Sequence, residues 1–158
     1  MKISLKKGWN LVSFKTSDLS AITFNENIIE IKNEQDSWNR NIPQVFNTLN
    51  EIDMTKGYFI FSKDETTIEY SPEKITSLNY KFEKGWNLVG WHKTIYLDDL
   101  EFNSMILKII GPNVDYDSEK STEKVQLVDN NFYQIVVSKE LNFEMSINSL
   151  KVTLKFNE

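Results

Sequence analysis

Several residue types are missing or rare in this chain, and each absence removes a class of function. The sequence contains no cysteine, so it has neither a disulfide framework nor thiol chemistry. Its only histidine is His92, which would have to serve any Ser/His/Asp triad or zinc site without a second nitrogen or sulfur ligand. We therefore expect no enzyme, no metal site and no cofactor.

The chain also lacks long apolar runs and a surplus of positive charge. The N-terminal run Met1 to Leu5 is ended by Lys6-Lys7, and such a run is too short for a signal peptide or a membrane span. With 23 acidic against 18 basic residues, the net charge is -5, which argues against binding of a phosphate backbone. The expected partners therefore include neither nucleic acid nor the interior of a membrane.

Aromatic residues, by contrast, are abundant: ten Phe, six Tyr and four Trp among 158 residues. Short runs of β-branched and aromatic residues are separated by polar turns, a pattern typical of all-β proteins. A domain of this length buries roughly 70% of the surface of its unfolded chain, which is enough for a substantial core.

One stretch of eight residues occurs twice, and this repeat indicates how the chain is organised. Residues 7–14 read KGWNLVSF, and residues 84–91, seventy-seven positions later, read KGWNLVGW; we call these two stretches the octets. A self-similarity at this spacing predicts a chain built from two like units. We expect an all-β fold of two similar antiparallel repeats, residues 1–76 and 77–158, packed as one pseudo-symmetric sandwich or barrel with at most short helical turns.

In each octet a glycine and a tryptophan follow the first lysine, and these two residues determine the expected local structure. Gly8 and Gly85 tolerate a positive φ, so the chain turns sharply there into a strand. Both faces of that strand are mostly apolar, which favours a strand covered on both sides, with Trp9 and Trp86 in the core. The alternative is that these indoles line a ligand surface.

The asparagines that follow the tryptophans are the polar exceptions in the octets. A buried amide needs hydrogen-bond partners. We therefore expect Asn10 and Asn87 to bond the backbone of a neighbouring turn.

The octets and the residues after them resemble the Gly-Trp-Asn-Leu-(Ile/Val)-(Ser/Gly) repeats of bacterial and archaeal secreted and cell-surface proteins. In the first half the resemblance continues through Trp38, Asn47-Thr48-Leu49 and the run from Lys56-Gly57-Tyr58 to Phe61. The family usually has Gly-Lys-Gly-Tyr-Trp at this last run. This sequence lacks the first glycine of that motif and has Phe59 in place of its tryptophan. The second half keeps the octet and follows the rest loosely.

The resemblance implies a β module of a multidomain protein without a catalytic role, whose partners are the other domains of that protein or a surface glycan. It implies an extracellular or cell-surface location, with this chain as a mature segment without its signal peptide. An intracellular protein is the alternative.

Consecutive strands are expected to pair as hairpins in both halves. The first would join the Ile3–Leu5 strand to the octet strand, and two more would join 58–61 to 67–70 and 133–137 to 141–145. The alternation of Val152, Leu154 and Phe156 predicts a last strand. We expect it to close the second half, as residues 80–83 would close the first.

Candidate ligand-binding residues are aromatics in polar surroundings. Trp38, expected to be exposed beside Arg40, could stack on a sugar with Tyr96 or Tyr116. The segment Asp115–Glu119 has alternating carboxylates, but it lacks the glycine and distal glutamate of a calcium loop, so a solvated loop is the better interpretation. The pair Asp98-Asp99 is read as a turn cap and not as a glycosidase acid and base.

Two functions fit these observations. The first is a non-catalytic surface module with a structural or adhesive role, and the alternative is a carbohydrate- or peptide-binding module that uses exposed aromatics. A binding module needs an exposed aromatic ring beside polar groups in a concavity, whereas a spacer buries its rings.

Overall fold

The structure is a computed structural model that describes residues 1–148 and 152–155. Within those ranges the chain is all-β, with antiparallel strand pairs, four short 3-10 helices and no α-helix. This confirms the predicted fold class. The 3-10 helices are Leu19–Ala21, Gln44–Phe46, Leu97–Asp99 and Asn103–Met105. Asp98-Asp99 lies within a helical turn and does not cap it, because the N-cap residue is Tyr96 and no side chain bonds at that cap.

The strands of the first half form two sheets. A four-stranded sheet has the order β2-β6-β4-β5, and a three-stranded sheet has the order β1-β7-β3. Their bounds are β1 Lys2–Leu5, β2 Gly8–Val12, β3 Ile22–Thr23, β4 Ile28–Lys32, β5 Ser37–Asn39, β6 Tyr58–Ser62 and β7 Thr66–Tyr70.

The second half has two corresponding sheets and one additional strand pair. Its four-stranded sheet has the order β9-β14-β11-β12, its three-stranded sheet has the order β8-β15-β16, and β10 pairs with β13. The bounds are β8 Ser77–Phe82, β9 Gly85–Trp91, β10 Ile95–Tyr96, β11 Ile106–Gly111, β12 Val114–Asp117, β13 Gln126–Leu127, β14 Asn131–Val137, β15 Leu141–Ser146 and β16 Val152–Lys155. In both halves the octet strand is followed in its sheet by the aromatic-rich strand from the end of that half. Superposition of the two halves remains a prediction.

The expected hairpins between consecutive strands are wrong. β1 pairs with β7 while β2 pairs with β6, and β14 pairs with β9 and β11 while β15 pairs with β8 and β16. β6 and β7 likewise lie in different sheets, because β6 pairs with β2 and β4 while β7 pairs with β1 and β3. The turns that join these three pairs of strands are therefore arches between sheets, whereas β4 with β5 and β11 with β12 do pair as consecutive strands.

The asparagines of the octets explain how these arches close. The Asn10 amide accepts a hydrogen bond from Lys6 N and donates one to Lys6 O, both at 2.8 Å. It also donates to Gly8 O at 3.0 Å, within a turn where the φ of Gly8 is +96°. The amide thus supplies the donor and acceptor that a paired strand would give to Lys6 in a hairpin.

The core of each half lies between its two sheets. In the first half, Leu5 of β1 and Ile68 of β7 cluster with Val12 of β2 and with Ile60 of β6. A second cluster occupies the same place in the second half and includes the fully buried Trp91. Buried and accessible residues alternate along β8, β14 and β15, as period-two side-chain geometry requires.

Of the two strands that were predicted to close the halves, the one in the second half is confirmed and the one in the first half is wrong. β16 pairs with β15, with Val152 buried opposite Met145, which confirms that it closes the second half; Phe156 lies outside the described residues. Residues 80–83 do not close the first half, because β8 pairs with β15. In the first half the corresponding edge, that of β7, is covered by β3.

A candidate aromatic surface and its cleft

The tryptophans that open the octet strands lie at the surface, contrary to their expected place in the core. The exposed fraction of the side chain is 49% for Trp9 and 56% for Trp86. The prediction failed because each octet strand is at the edge of its sheet and not in the middle. In β2 only the face that carries Val12 packs on the core, together with Phe14 beyond the end of the strand, so the opposite apolar face is left accessible.

Trp9 belongs to a cluster of rings on the outer face of the first four-stranded sheet. It pairs across the strands with Phe61, with ring centroids 5.3 Å apart, and its centroid is 6.5 Å from that of Phe59. Lys32 from β4 places Nζ 4.3 Å from the Trp9 ring centroid, a cation–π geometry. We call Trp9, Phe59, Phe61 and Trp86 the aromatic surface.

Phe59 and Trp86 meet at a cleft between the two halves of the chain. The cleft has a volume of about 230 Å³, and we call it the Trp86 cleft; its lining residues are Glu34, Phe59, Trp86, Asn87, Leu88 and Gln134. Its walls are mostly apolar, with a carboxylate and carboxamides at a few points. This is the usual composition of a small-ligand site.

Glu34 is held in the cleft by two sets of hydrogen bonds. It lies in the turn between β4 and β5, where Asn33 Oδ1 accepts hydrogen bonds from Gln35 N at 2.8 Å and Asp36 N at 2.7 Å. Its own Oε1 accepts a hydrogen bond from Leu88 N of β9. A carboxylate has lone pairs for further donors, so Glu34 can bond a ligand while it holds this position.

The free edge of β9 is covered by the segment that precedes β6. Gly57 N donates to Leu88 O at 3.2 Å, and Gly90 N donates to Thr55 O at 3.0 Å. Gly90 permits this approach, because a Cβ there would lie 2.6 Å from Lys56 O. The backbone edge of β9 is therefore occupied at Leu88 and Gly90.

The arch that leads into β9 is fixed by Asn87 in the same way as the first arch is fixed by Asn10. Its amide accepts from Glu83 N at 2.9 Å and donates to Glu83 O at 2.8 Å, Gly85 O at 3.1 Å and Ile135 O at 3.4 Å. Asn87 is 3% exposed. The indole of Trp86 thus projects from a firmly held backbone.

Tyr58 anchors the start of β6 and so positions Phe59. It is fully buried, and its hydroxyl accepts a hydrogen bond from Asp53 N at 2.8 Å. Burial raises the pKa of this hydroxyl above its ordinary value. Gly57 fits directly against Leu88, whose Cγ would lie 2.8 Å from an added Cβ.

Trp38 and Arg40, two of the predicted ligand residues, contact each other but do not form an open site. The Trp38 ring is half-buried and stacks on Phe24, with centroids 5.9 Å apart and planes 22° apart. The Arg40 guanidinium lies 5.5 Å from the Trp38 centroid and donates to Ile28 O and Asn25 O. The expected exposure of Trp38 is wrong, because Phe24 covers it from outside the polar segment.

Tyr96 and Tyr116 lie on different sheets from Trp38 and from each other. Tyr96 is 38% exposed in β10, with Lys124 Nζ 4.3 Å from its ring centroid. Tyr116 is half-buried in β12 and packs against the second core. The four predicted ligand residues therefore do not converge on one site.

His92 is a buried interface residue between the halves. Its side chain is 1% exposed, and Nε2 donates a hydrogen bond of 2.7 Å to the carbonyl of Met54. Burial lowers the pKa of the imidazole below its ordinary value, against a smaller opposing effect of that carbonyl. A salt bridge of 3.0 Å between Lys15 and Asp129 also joins the two halves.

The Asp115–Glu119 segment is not the solvated loop that was expected, because residues 115–117 belong to β12 and pair with β11. Asp117 also gives the segment a local hydrogen bond. Its Oδ1 accepts from Glu119 N at 3.0 Å. Among residues 1–148 and 152–155, no group of three or more His, Asp or Glu side chains is placed to hold a metal ion. The part of the chain that the structure describes also contains no helix long and apolar enough to span a membrane.

Comparison with protein-family models, curated proteins and solved structures gave no match to this chain. The candidate site therefore has to be interpreted from its own geometry and chemistry.

Proposed function

We propose that this chain is a non-enzymatic adhesive module that holds its ligand on the aromatic surface and in the Trp86 cleft. The observation that supports this is an indole more than half exposed in a concavity beside Glu34 and Gln134. An exposed tryptophan costs a protein hydrophobic stabilisation that a buried one would provide. A binding module recovers that stabilisation when a ligand covers the ring.

The proposal includes an extracellular or cell-surface location, with neighbouring domains of a larger surface protein as covalent partners. It rests on the resemblance of the octets to repeats of secreted and surface proteins. We propose no catalytic role, because His92 is buried and its Nε2 is bonded to Met54 O.

The proposal is tested with arrays of glycans and of peptides, probed with the intact chain and with two variants. Trp86→Ala should lose the signals of the bound class. Phe46→Ala is the matched control, because Phe46 is 67% exposed in the 3-10 helix Gln44–Phe46, outside the aromatic surface. Phe46→Ala should bind as the intact chain does.

Two results would count against this function. Binding that is equally weakened by both variants would indicate general hydrophobic adhesion. Binding to neither array, with both proteins folded by circular dichroism, would favour a purely structural module.

A further inference from the structure

Building on the proposed function, we infer that the aromatic surface and the Trp86 cleft bind a neutral, extended glycan. The alternatives that this excludes are a peptide added to the sheet as a strand and an acidic polysaccharide. The inference depends on which hydrogen-bonding groups are free at the cleft and on the charges that surround it.

A peptide strand would need a run of unpaired backbone groups on β9, and this run is interrupted at Leu88 and Gly90, where edge groups are already bonded. Leu88 N donates to Glu34, Leu88 O accepts from Gly57 N, and Gly90 N donates to Thr55 O. Strand addition derives its affinity from such main-chain groups. A peptide in this cleft would leave its own backbone donors and acceptors unpaired.

The groups that remain for a ligand are ring faces and polar side chains. Trp86 and Phe59 offer apolar faces, while Glu34 and Gln134 offer hydrogen-bond acceptors and donors. A sugar ring has an apolar face of C–H groups with hydroxyls around its rim. That combination matches an aromatic ring flanked by a carboxylate and a carboxamide.

The charge at the cleft selects against acidic ligands. Glu34 is a lining residue, and the whole chain has a net charge of -5. The positive charge of Lys32 lies against Trp9, and its Nζ is 3.9 Å from Glu30, which partly offsets it. Uronates and sulfates would therefore meet like charge at Glu34.

The arrangement of the rings suits a chain of several sugars. Phe59 contacts Trp9 from the first half, and it lines the cleft together with Trp86 from the second half. A single sugar would use one of these indoles, whereas an extended glycan could use both.

The test is affinity electrophoresis of the intact chain in gels that contain one soluble polysaccharide each. Neutral probes are hydroxyethylcellulose, mixed-linkage β-glucan, galactomannan and laminarin, and acidic probes are polygalacturonate and alginate. At least one neutral probe should retard the protein, and Trp86→Ala should weaken that binding about tenfold, which corresponds to about 1.4 kcal/mol. Phe46→Ala should leave it unchanged.

Glu34→Gln separates charge from shape at the cleft. The glutamine can still accept the bond from Leu88 N, but an amide donor replaces one acceptor oxygen that faces the ligand, so the neutral probe should bind about three- to tenfold more weakly. Acidic probes should gain affinity, because the like charge is gone. Added salt should leave neutral binding unchanged, since no ion pair is involved.

The outcomes distinguish this inference from the function on which it rests. Trp86-dependent binding of acidic polysaccharides or of peptides, without binding of a neutral probe, overturns the neutral-glycan inference and leaves an adhesive module. Failure of every neutral probe to bind in a Trp86-dependent manner also overturns it. Loss of Trp86 dependence for every class in the arrays refutes the proposed function itself.

Discussion

Replacing the two octet asparagines by alanine compares the same hydrogen bonds in two environments of one molecule. Asn10 and Asn87 each bond the backbone N–H and C=O of the residue four positions earlier and the carbonyl of the glycine two positions earlier. Asn10 is partly accessible to solvent, whereas Asn87 is buried and has a further bond to Ile135 O. The difference between the two variants therefore measures the effect of burial.

The expected magnitudes follow from this difference. At Asn10→Ala, water can reach the released backbone groups, and net losses of about 0.5–1 kcal/mol for each of two or three bonds give about 1–2 kcal/mol. At Asn87→Ala, water reaches the released backbone groups less easily, because Asn87 is 3% exposed, and a buried group left without a partner adds about 1–3 kcal/mol. We expect a loss of about 3–4 kcal/mol there, a large share of the roughly 5–15 kcal/mol of a typical domain.

Urea unfolding followed by circular dichroism measures both losses as shifts of the midpoint at constant slope. Lys84→Ala, an exposed change in the same turn as Asn87, should stay within about 0.5 kcal/mol of the intact chain. Equal losses below about 0.5 kcal/mol at both asparagines would show that their amides do not hold the arches.

Four further outcomes are expected from the structure. Trp86→Ala should cost less than about 2 kcal/mol and the fully buried Trp91→Ala about 3–5 kcal/mol in the same assay; equal costs would contradict the exposed position of Trp86. Gly90→Ala should destabilise by about 1–3 kcal/mol, since the methyl group would meet backbone oxygens at 2.6 and 2.8 Å; an unchanged midpoint would contradict the covered β9 edge. Because burial lowers the folded pKa of His92, the unfolded state binds more protons. Stability should therefore be full above about pH 6.5 and fall as the pH decreases below it, a slope that His92→Gln should reduce. A chain that ends at residue 149 should melt earlier or aggregate, because it loses β16 and the buried Val152; an unchanged melting temperature in a monomer would refute a structural role for β16.

The fold class and the turns at the octets could be predicted from the sequence because both depend on local patterns. Short alternating runs specify strands, and a glycine before a bulky residue specifies a sharp turn, observed here as a φ of +98° at Gly85. The sheet that each strand joins is not local information. An alternating strand can pair with the preceding strand in a hairpin or join the opposite sheet after an arch. At β9 the amide of Asn87 stabilises the arch by bonding Glu83 N and O.

The aromatic surface was only the alternative interpretation of Trp9 and Trp86, for a related reason. Trp38 has polar neighbours in sequence, but Phe24 covers it from another part of the chain. Trp9 has apolar neighbours, but the strand that carries it is an edge strand with one covered face. One signal was present: Phe59 and Phe61 alternate with buried residues in a strand that has no polar face, so one of its apolar faces had to be covered from elsewhere or remain accessible.

The place of β16 follows from a difference between the two halves in how the edge of the three-stranded sheet is covered. In the first half, β3 pairs with β7 and covers its edge. In the second half, the strand in the corresponding position, β10, pairs instead with β13, which comes from the longer connection between β12 and β14. That exchange leaves the edge of β15 open, and an open edge with buried neighbours exposes backbone groups and apolar side chains. β16 covers that edge, with Val152 opposite Met145, and so replaces in the second half what β3 provides in the first.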